Sequence, residues 1–260
     1  MKALILAAGM GERLRPLTDT IPKPLVKIGG RPLIHYSMMM LKHAGIRDVA
    51  INVHHLAGEI EKALGTGHAM GLDITYAPEP TLLGTGGTLL ALKDYFGDEA
   101  FCVMNADNII DLDLTAMLAF HRDRGAIASF LLFRPENISR YSRIEIDRDF
   151  KIRRMRLLKR PNEFEDYPAE LPDGASLESY MFCGVYVCEP VVLKSMPKAP
   201  PFSSMREIFA PMVADGLPLF GCVHRGLFRT VDDLVSYQQL GREFADNPPR
   251  LSYLKESIPG

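Results

Sequence analysis

Tryptophan is absent from this chain, and cysteine occurs four times in 260 residues. The four thiols, Cys102, Cys183, Cys188 and Cys222, form no CxxC pair and stand in apolar, strand-like runs. That argues against a zinc site or a disulfide framework and for buried free thiols in a reducing compartment. Net charge is also scarce: 30 basic against 32 acidic residues leave a formal −2. With neither sign in excess, no nucleic acid or membrane partner is expected, and any anion site has to be local. Long apolar runs are missing too. The first, "KALILA" (2–7), has only Lys2 as charge at its start and meets glycine and charge too soon for a signal peptide or a membrane span. The expected location is the cytoplasm. Seven histidines are present, but none has metal-ligand spacing. His54 and His55, after the second strand, read as a structural polar turn.

What is present is an alternation. Runs at 2–7, 49–53, 72–77, 100–107 and 127–133 read as strands, the continuous aliphatic 2–7 as one buried on both faces and 100–107 as another buried strand. Helical patterns lie between them at 32–45, 57–64, 85–97 and 114–126, the third with Thr85 as N-cap and Gly97 as stop. The methionines 38–40 are core filler in the first helix, with one left exposed. This rhythm predicts parallel pairing with right-handed crossovers and helices on both faces. Ligand sites in such sheets collect at the carboxyl ends of the strands, where "GMGERLR" and "NADN" both stand. The second half differs. Residues 143–147 and 151–158 read as antiparallel strands and 160–180 as an exposed polar excursion. A strand interrupted by Gly184 follows at 180–190, then a helix at 204–216, a strand at 218–224 and a closing helix at 230–245.

The first strand runs into "GMGERLRPLTDTIPKPL" (9–25). A loop between strand and helix presents backbone N–H groups to an anion, and Gly9 and Gly11 would let phosphate oxygens approach. A dinucleotide fingerprint would need a third glycine where Leu14 stands, and no Walker GxxxxGK[ST] is present. On the glycines alone, a plain turn with solvated arginines fits equally well. Lys23 shifts the balance, because Pro22 and Pro24 stiffen the backbone on either side of it. A restrained lysine suits a developing negative charge, since preorganised charge needs little rearrangement in a transition state. Arg13 and Arg15 add planar donors for phosphate oxygens.

"LAAGMGERLRPLTDTIPKPL", "IGGRPLIHY", "INVHHL", "LLGTGGTLL" and "NAD" occur in that order and cover most of residues 1–135. Together they resemble the signature blocks of the sugar-1-phosphate nucleotidyltransferases, or NDP-sugar pyrophosphorylases. The "GER" form and the lack of a C-terminal extension look most like the short bacterial branch typified by N-acetylmuramate-1-phosphate uridylyltransferases. The resemblance implies in-line attack of a sugar 1-phosphate on the α-phosphorus of a nucleoside triphosphate, with Mg²⁺ as cofactor. It places Leu6, Ala7, Ala8 and Gly9 along the base and ribose, and Gly11, Glu12 and Arg13 around the β- and γ-phosphates. Lys23 would sit on the α-phosphate, making Arg13 and Lys23 the catalytic pair. Gly84, Thr85 and Gly86 would close over the base, Asn105 would touch the ribose or sugar, and Asp107 would hold the metal.

Beyond residue 135 the pattern departs from the family. The second metal carboxylate, usually written W-x-D-V-G-T, meets "GLFRTVDDL" (226–234), where Thr230 takes the place of the acid. The glucose-1-phosphate cytidylyltransferase branch has its acid two residues later, and that register selects Asp232, with Asp233 as the alternative. Helix-terminal acids favoured by the macrodipole would look the same. The E-K-P motif that holds the sugar phosphate becomes "LLKRP", which puts Lys159 and Arg160 at the site. Gly184 matches the glycine that lets the sugar approach the backbone, and Glu178 could replace the missing hydroxyl acceptor.

The expected fold is therefore α/β and Rossmann-like, with a mixed, mostly parallel sheet flanked by helices, as in glycosyltransferase-A-like nucleotidyltransferases. One domain is expected over 1–245, with a nucleotide half at 1–134, a sugar half at 135–245, and a tail at 246–260. The expected partners are a nucleoside triphosphate and a sugar 1-phosphate. Base, sugar and oligomeric state stay open, a homo-oligomer included. Two other readings remain: a non-catalytic paralogue that binds NDP-sugars, or the same chemistry on a non-sugar phosphomonoester such as phosphocholine.

Overall fold

The aliphatic run after Met1 forms the strand Lys2–Leu6, with Ala3, Leu4 and Ile5 wholly buried. It belongs to a computed structural model that describes residues 1–171, 174, 176–197 and 199–254. The chain divides into two units by its contacts: Met1–Thr81, Val103–Thr115 and Gly226–Gly260 in one, Leu82–Cys102 and Ala116–Arg225 in the other. The architecture is the expected α/β one, a mixed sheet with helices between its strands.

In the first unit, Lys2–Leu6 pairs in parallel with Asp48–Val53, which pairs in parallel with Asp73–Pro78. On its other side, Lys2–Leu6 neighbours Phe101–Asn105. Parallel strands need crossover connections, and the helices Leu33–His43 and Ala57–Leu64 provide them. The first of these buries Met38 and Met40, while the Met39 sulfur accepts from Arg31 at 3.5 Å. A short ribbon pairs Asn108–Ile110 with Phe228–Thr230, and the helix Leu234–Asp246 follows it. Of the expected tail, residues 255–260 lie outside the described residues. The part that is described packs through buried Leu251 and Tyr253, and Ser252 bonds the Asp111 carboxylate through N and Oγ at 2.7 Å each.

In the second unit, Ala128–Phe133 pairs in parallel with Leu219–Val223 and antiparallel with Glu178–Cys188. Glu178–Cys188 continues antiparallel to Arg143–Ile146, and that strand to Ile152–Arg160. Phe130, Tyr186 and Phe209 form the buried aromatic centre, with ring centroids 4.8–5.7 Å apart. Burying each such side chain stabilises the fold by about 1.5–3 kcal/mol. The cysteines are free as expected, and burial pushes the Cys102 thiol up to about 12, leaving it protonated and unreactive.

Three expectations need correction. The polar stretch after Arg160 is not wholly an excursion, because Glu163–Pro168 forms an antiparallel strand with Ile152–Arg160. Ion pairs across that hairpin, such as Arg156 to Asp166 at 2.6 Å, supply what apolar alternation does not. The helix expected over 204–216 starts as a π-helical turn, Ser204–Phe209, before Ala210–Ala214 turns α. The helix expected over 85–97 breaks at Leu92 into Gly84–Ala91 and Lys93–Phe96, and Thr85 does not cap it. The Thr85 hydroxyl instead accepts from Ser204 N at 2.9 Å.

The glycines beside Thr85 have a packing reason. Gly84 has φ +73°, and a Cβ there would lie 2.5 Å from the Phe202 carbonyl oxygen. At Gly86 a Cβ would lie 2.5 Å from the Phe202 ring, and Gly86 N donates to Phe202 O at 2.9 Å. Gly84→Ala should therefore lower unfolding free energy in urea by about 1–3 kcal/mol. Gly58→Ala, in a helix with open space around it, should leave stability unchanged or raise it.

Candidate active site

The loop after Lys2–Leu6 begins with a buried polar relay. Ala7 N donates to Asn52 Oδ1 at 2.7 Å, and Asn52 Nδ2 donates to Glu79 Oε1 at 2.9 Å. Asn52 and Glu79 are buried at the carboxyl ends of the two neighbouring strands, so three chain segments are tied where the loop starts. Sequence reasoning passed over both. The available signal was a polar residue inside the apolar run "VAINV". His54 Nδ1 bonds Glu79 O at 2.6 Å and His55 Nε2 bonds Thr18 O at 2.9 Å, the structural role expected of that pair.

The two loop glycines differ. Gly11 has φ +65°, and a Cβ would sit 2.9 Å from Thr18 Cγ2, while the buried Thr18 hydroxyl donates to Gly11 O at 2.8 Å. Gly11 is demanded by the turn itself. Nothing lies within 4 Å of a Cβ at Gly9, and its φ is ordinary, so packing does not require a glycine there. Leu6, Ala7 and Ala8 lead into the loop, and Glu12, Arg13 and Leu14 form a single 3₁₀ turn.

Lys23 opens a later 3₁₀ turn, Lys23–Leu25, directly after Pro22. Its Nζ contacts the Asp107 Oδ2, with side chains 14% and 25% exposed. Asp107 stays close because Ala106 N donates to Leu6 O at 3.1 Å, and Val231 N donates to Asp107 O at 3.3 Å. The register Thr230 opposite Asn108 brings the second acidic stretch to the same place. Asp232 lies 3.6 Å from Arg13 Nη2, and both side chains are solvent-accessible at 42% and 70%. Asp233 has another task. Its carboxylate caps Leu234–Asp246 by accepting from Ser236 N at 2.8 Å, and that backbone bond holds its pKa below the usual carboxylate range. Asn105 lies at the end of Phe101–Asn105, where its carbonyl accepts from Ser37 Oγ at 3.1 Å. Arg15 pairs with Asp19 at 3.3 Å on the surface. The first unit thus gathers Leu6–Gly9, Gly11–Arg13, Lys23, Asn105, Asp107 and Asp232 around one strand edge.

The other predicted residues lie in the second unit. Gly84, Thr85 and Gly86 pack on residues 202–204 as described. Lys159 and Arg160 end a strand at the hairpin turn, where both approach Glu163 at 4.0 and 3.9 Å and stay exposed. Gly184 has φ +76° at the irregularity between Phe182 and Tyr186, so the strand needs a glycine there. Glu178 opens that strand and accepts from the Tyr180 hydroxyl. A cavity of about 630 Å³ in this unit lies beside His121, Glu189 and Lys194, and none of the sequence-predicted residues lines it. Among the described residues, no three His, Cys, Asp or Glu side chains cluster as a metal cage, and no helix is long and apolar enough to cross a membrane.

A family model described as "Nucleotidyl transferase" matches residues 2–228. A UTP–glucose-1-phosphate uridylyltransferase from Synechocystis is 33% identical over 85% of this chain and 57% of its own length. An N-acetylmuramate alpha-1-phosphate uridylyltransferase from Neisseria meningitidis is 49% identical over 45% of this chain and 51% of its own. The chain thus spans about half the length of these curated relatives. The crystal structure of HddC from Yersinia pseudotuberculosis superposes with a TM-score of 0.73, covering 94% of this chain and 99% of that one at 21% identity. At that identity the likeness concerns the fold.

The contrast between the loop glycines is testable. Gly11→Ala should lower the melting temperature. Gly9→Ala should leave it unchanged and weaken nucleoside triphosphate binding in calorimetry; unaltered binding would show that no ligand passes close to Gly9.

Proposed function

The chain belongs to the nucleotidyl transferase family, and we propose that it makes an NDP-sugar and pyrophosphate from a nucleoside triphosphate and a sugar 1-phosphate. A phosphate oxygen of the sugar 1-phosphate attacks the α-phosphorus in line. The bond from that phosphorus to the β-phosphate bridging oxygen breaks, and its electrons leave with pyrophosphate. No covalent enzyme intermediate is needed. The chain's work is to bind, orient and balance charge. The observation that carries this reading is the contact of Lys23 with Asp107 beside the glycine loop, at the carboxyl edge of parallel strands.

In this reading the backbone of Leu6–Gly9 faces base and ribose, and Gly11, Glu12 and Arg13 surround the outer phosphates. Lys23 neutralises charge on the α-phosphate. Gly84–Gly86 contribute to base binding, and Asn105, Lys159, Arg160, Glu178 and Gly184 to the acceptor. Residues 1–134 act as the nucleotide half and 135–245 as the acceptor half.

The donor set also fits Mg²⁺. Asp107 and Asp232 are hard oxygen donors with basic partners, and Mg²⁺ bound with a nucleotide commonly uses one or two carboxylates, completing its shell with phosphates and water. When bound, the ion would draw charge from the phosphate oxygens. Asp233, committed to its helix cap, is the weaker candidate ligand. This reading keeps the reaction in the cytoplasm, the location expected from the sequence.

Pyrophosphate release, screened over four triphosphates and a panel of sugar 1-phosphates, tests the reading. At least one pair should turn over. Nucleotide binding without pyrophosphate from any pair would overturn it in favour of a binding paralogue. Lys23→Ala should lower kcat by about 10²–10³-fold, with a much smaller change in nucleotide affinity; an unchanged kcat would remove Lys23 from the mechanism.

A further inference from the structure

Most arginines of the second unit are spoken for. Arg153 pairs with Asp147 and Arg154 with Glu145, Arg156 pairs with Asp166, and Arg206 contacts Glu165. Arg134 and Arg225, like Arg122 and Arg140, are exposed and have no side-chain hydrogen bond or ion pair among the described residues; what sets the first two apart is where they stand.

The sheet brings them together. Ala128–Phe133 lies between Leu219–Val223 and Glu178–Cys188, with Leu132 opposite Val223 and Met181 opposite Phe133. Arg134 and Arg225 each stand two residues beyond the Leu132–Val223 pair, and His224 N extends that ladder by donating to Leu132 O at 2.7 Å. Tyr180 immediately precedes Met181, so all three residues stand at the same end of these three strands.

Tyr180 reports the result. Its hydroxyl donates to the Glu178 carboxylate. Burial pushes its pKa up, Glu178 adds to the rise, and both Arg134 and Arg225 oppose it. One carboxylate therefore bonds this buried phenol, and the charges of two unpaired guanidinium groups at the neighbouring strand ends act on it. Like charges held side by side at a strand edge favour an anion between them, and guanidinium groups bind phosphate or carboxylate through paired hydrogen bonds.

We infer that Arg134 and Arg225 form the receptor for an anionic group of the acceptor substrate, with Glu178 beside them to take one of its hydroxyls. This rests on the acceptor chemistry proposed above. It moves the principal anion contact from Lys159 and Arg160, which share Glu163 at the hairpin turn, to the edge formed by Ala128–Phe133 and Leu219–Val223. The anion is either the phosphate every acceptor carries or a second acidic substituent on the sugar.

The test uses the full chain with Arg134→Gln, Arg225→Gln and the two lysine replacements. Glucose 1-phosphate and glucuronic acid 1-phosphate serve as probes, with calorimetric Kd measured beside KM. Each glutamine variant should weaken acceptor binding about tenfold, with lysine restoring part of the loss and with nucleotide KM and melting temperature unchanged. Loss for both probes identifies the phosphate as the anion held, and loss for glucuronic acid 1-phosphate alone identifies the second substituent. Unchanged acceptor binding in both glutamine variants, or no wild-type binding of either probe, overturns the inference. Calorimetry needs no turnover, so inactivity of the wild type would count against the proposed reaction while the binding comparison still decides this site.

Discussion

An ammonium and a carboxylate, both largely withdrawn from water, face each other where the first parallel strands end. Isolated, either charge would be costly to bury; paired, each makes the other tolerable. Much of the first unit serves that pairing. The Pro22–Lys23–Pro24 turn limits where the lysine can go, and the bond from Ala106 to Leu6 limits where the carboxylate can go. In the proposed reaction, a triphosphate arriving with a cation would offer both groups new partners of the right sign. Lysine would then turn to phosphate and aspartate to metal without leaving a bare charge behind. The same logic extends to Arg13 and Asp232 at the rim, where solvent weakens the pairing and eases exchange.

Much of this was legible in the sequence. The aliphatic runs became strands nearly where expected, most clearly where a segment such as Lys2–Leu6 is buried on both faces and has little freedom in composition. Ala57–Leu64 and Leu33–His43 follow their apolar spacing to within a residue or two. Lys23 was legible through its prolines and Asp107 through its place after a buried strand. Family membership followed from the order of the blocks and is borne out by the match over residues 2–228.

What escaped has a common physical cause: it depends on partners distant in sequence. Thr85 looks like a helix cap until Ser204 is known to lie against it. Gly84 and Gly86 look flexible until the Phe202 backbone and ring are placed beside them. The Glu163–Pro168 strand is stabilised by cross-strand ion pairs, which leave no hydrophobic alternation to read. In the sequence, register alone favours Asp232 over Asp233, whereas the reciprocal bonds with Ser236 assign Asp233 to the cap. Asn52 and Glu79 matter only because three strand ends converge on them.

The account turns on whether the Lys23–Asp107 pair exchanges partners when nucleotide binds. A crystal of the chain with a non-hydrolysable nucleoside triphosphate and Mn²⁺, read in an anomalous difference map, decides this most directly. The account predicts a metal peak bound by the Asp107 carboxylate, with the Lys23 ammonium moved onto the α-phosphate. An intact lysine–aspartate contact, with triphosphate and metal bound elsewhere, would contradict it.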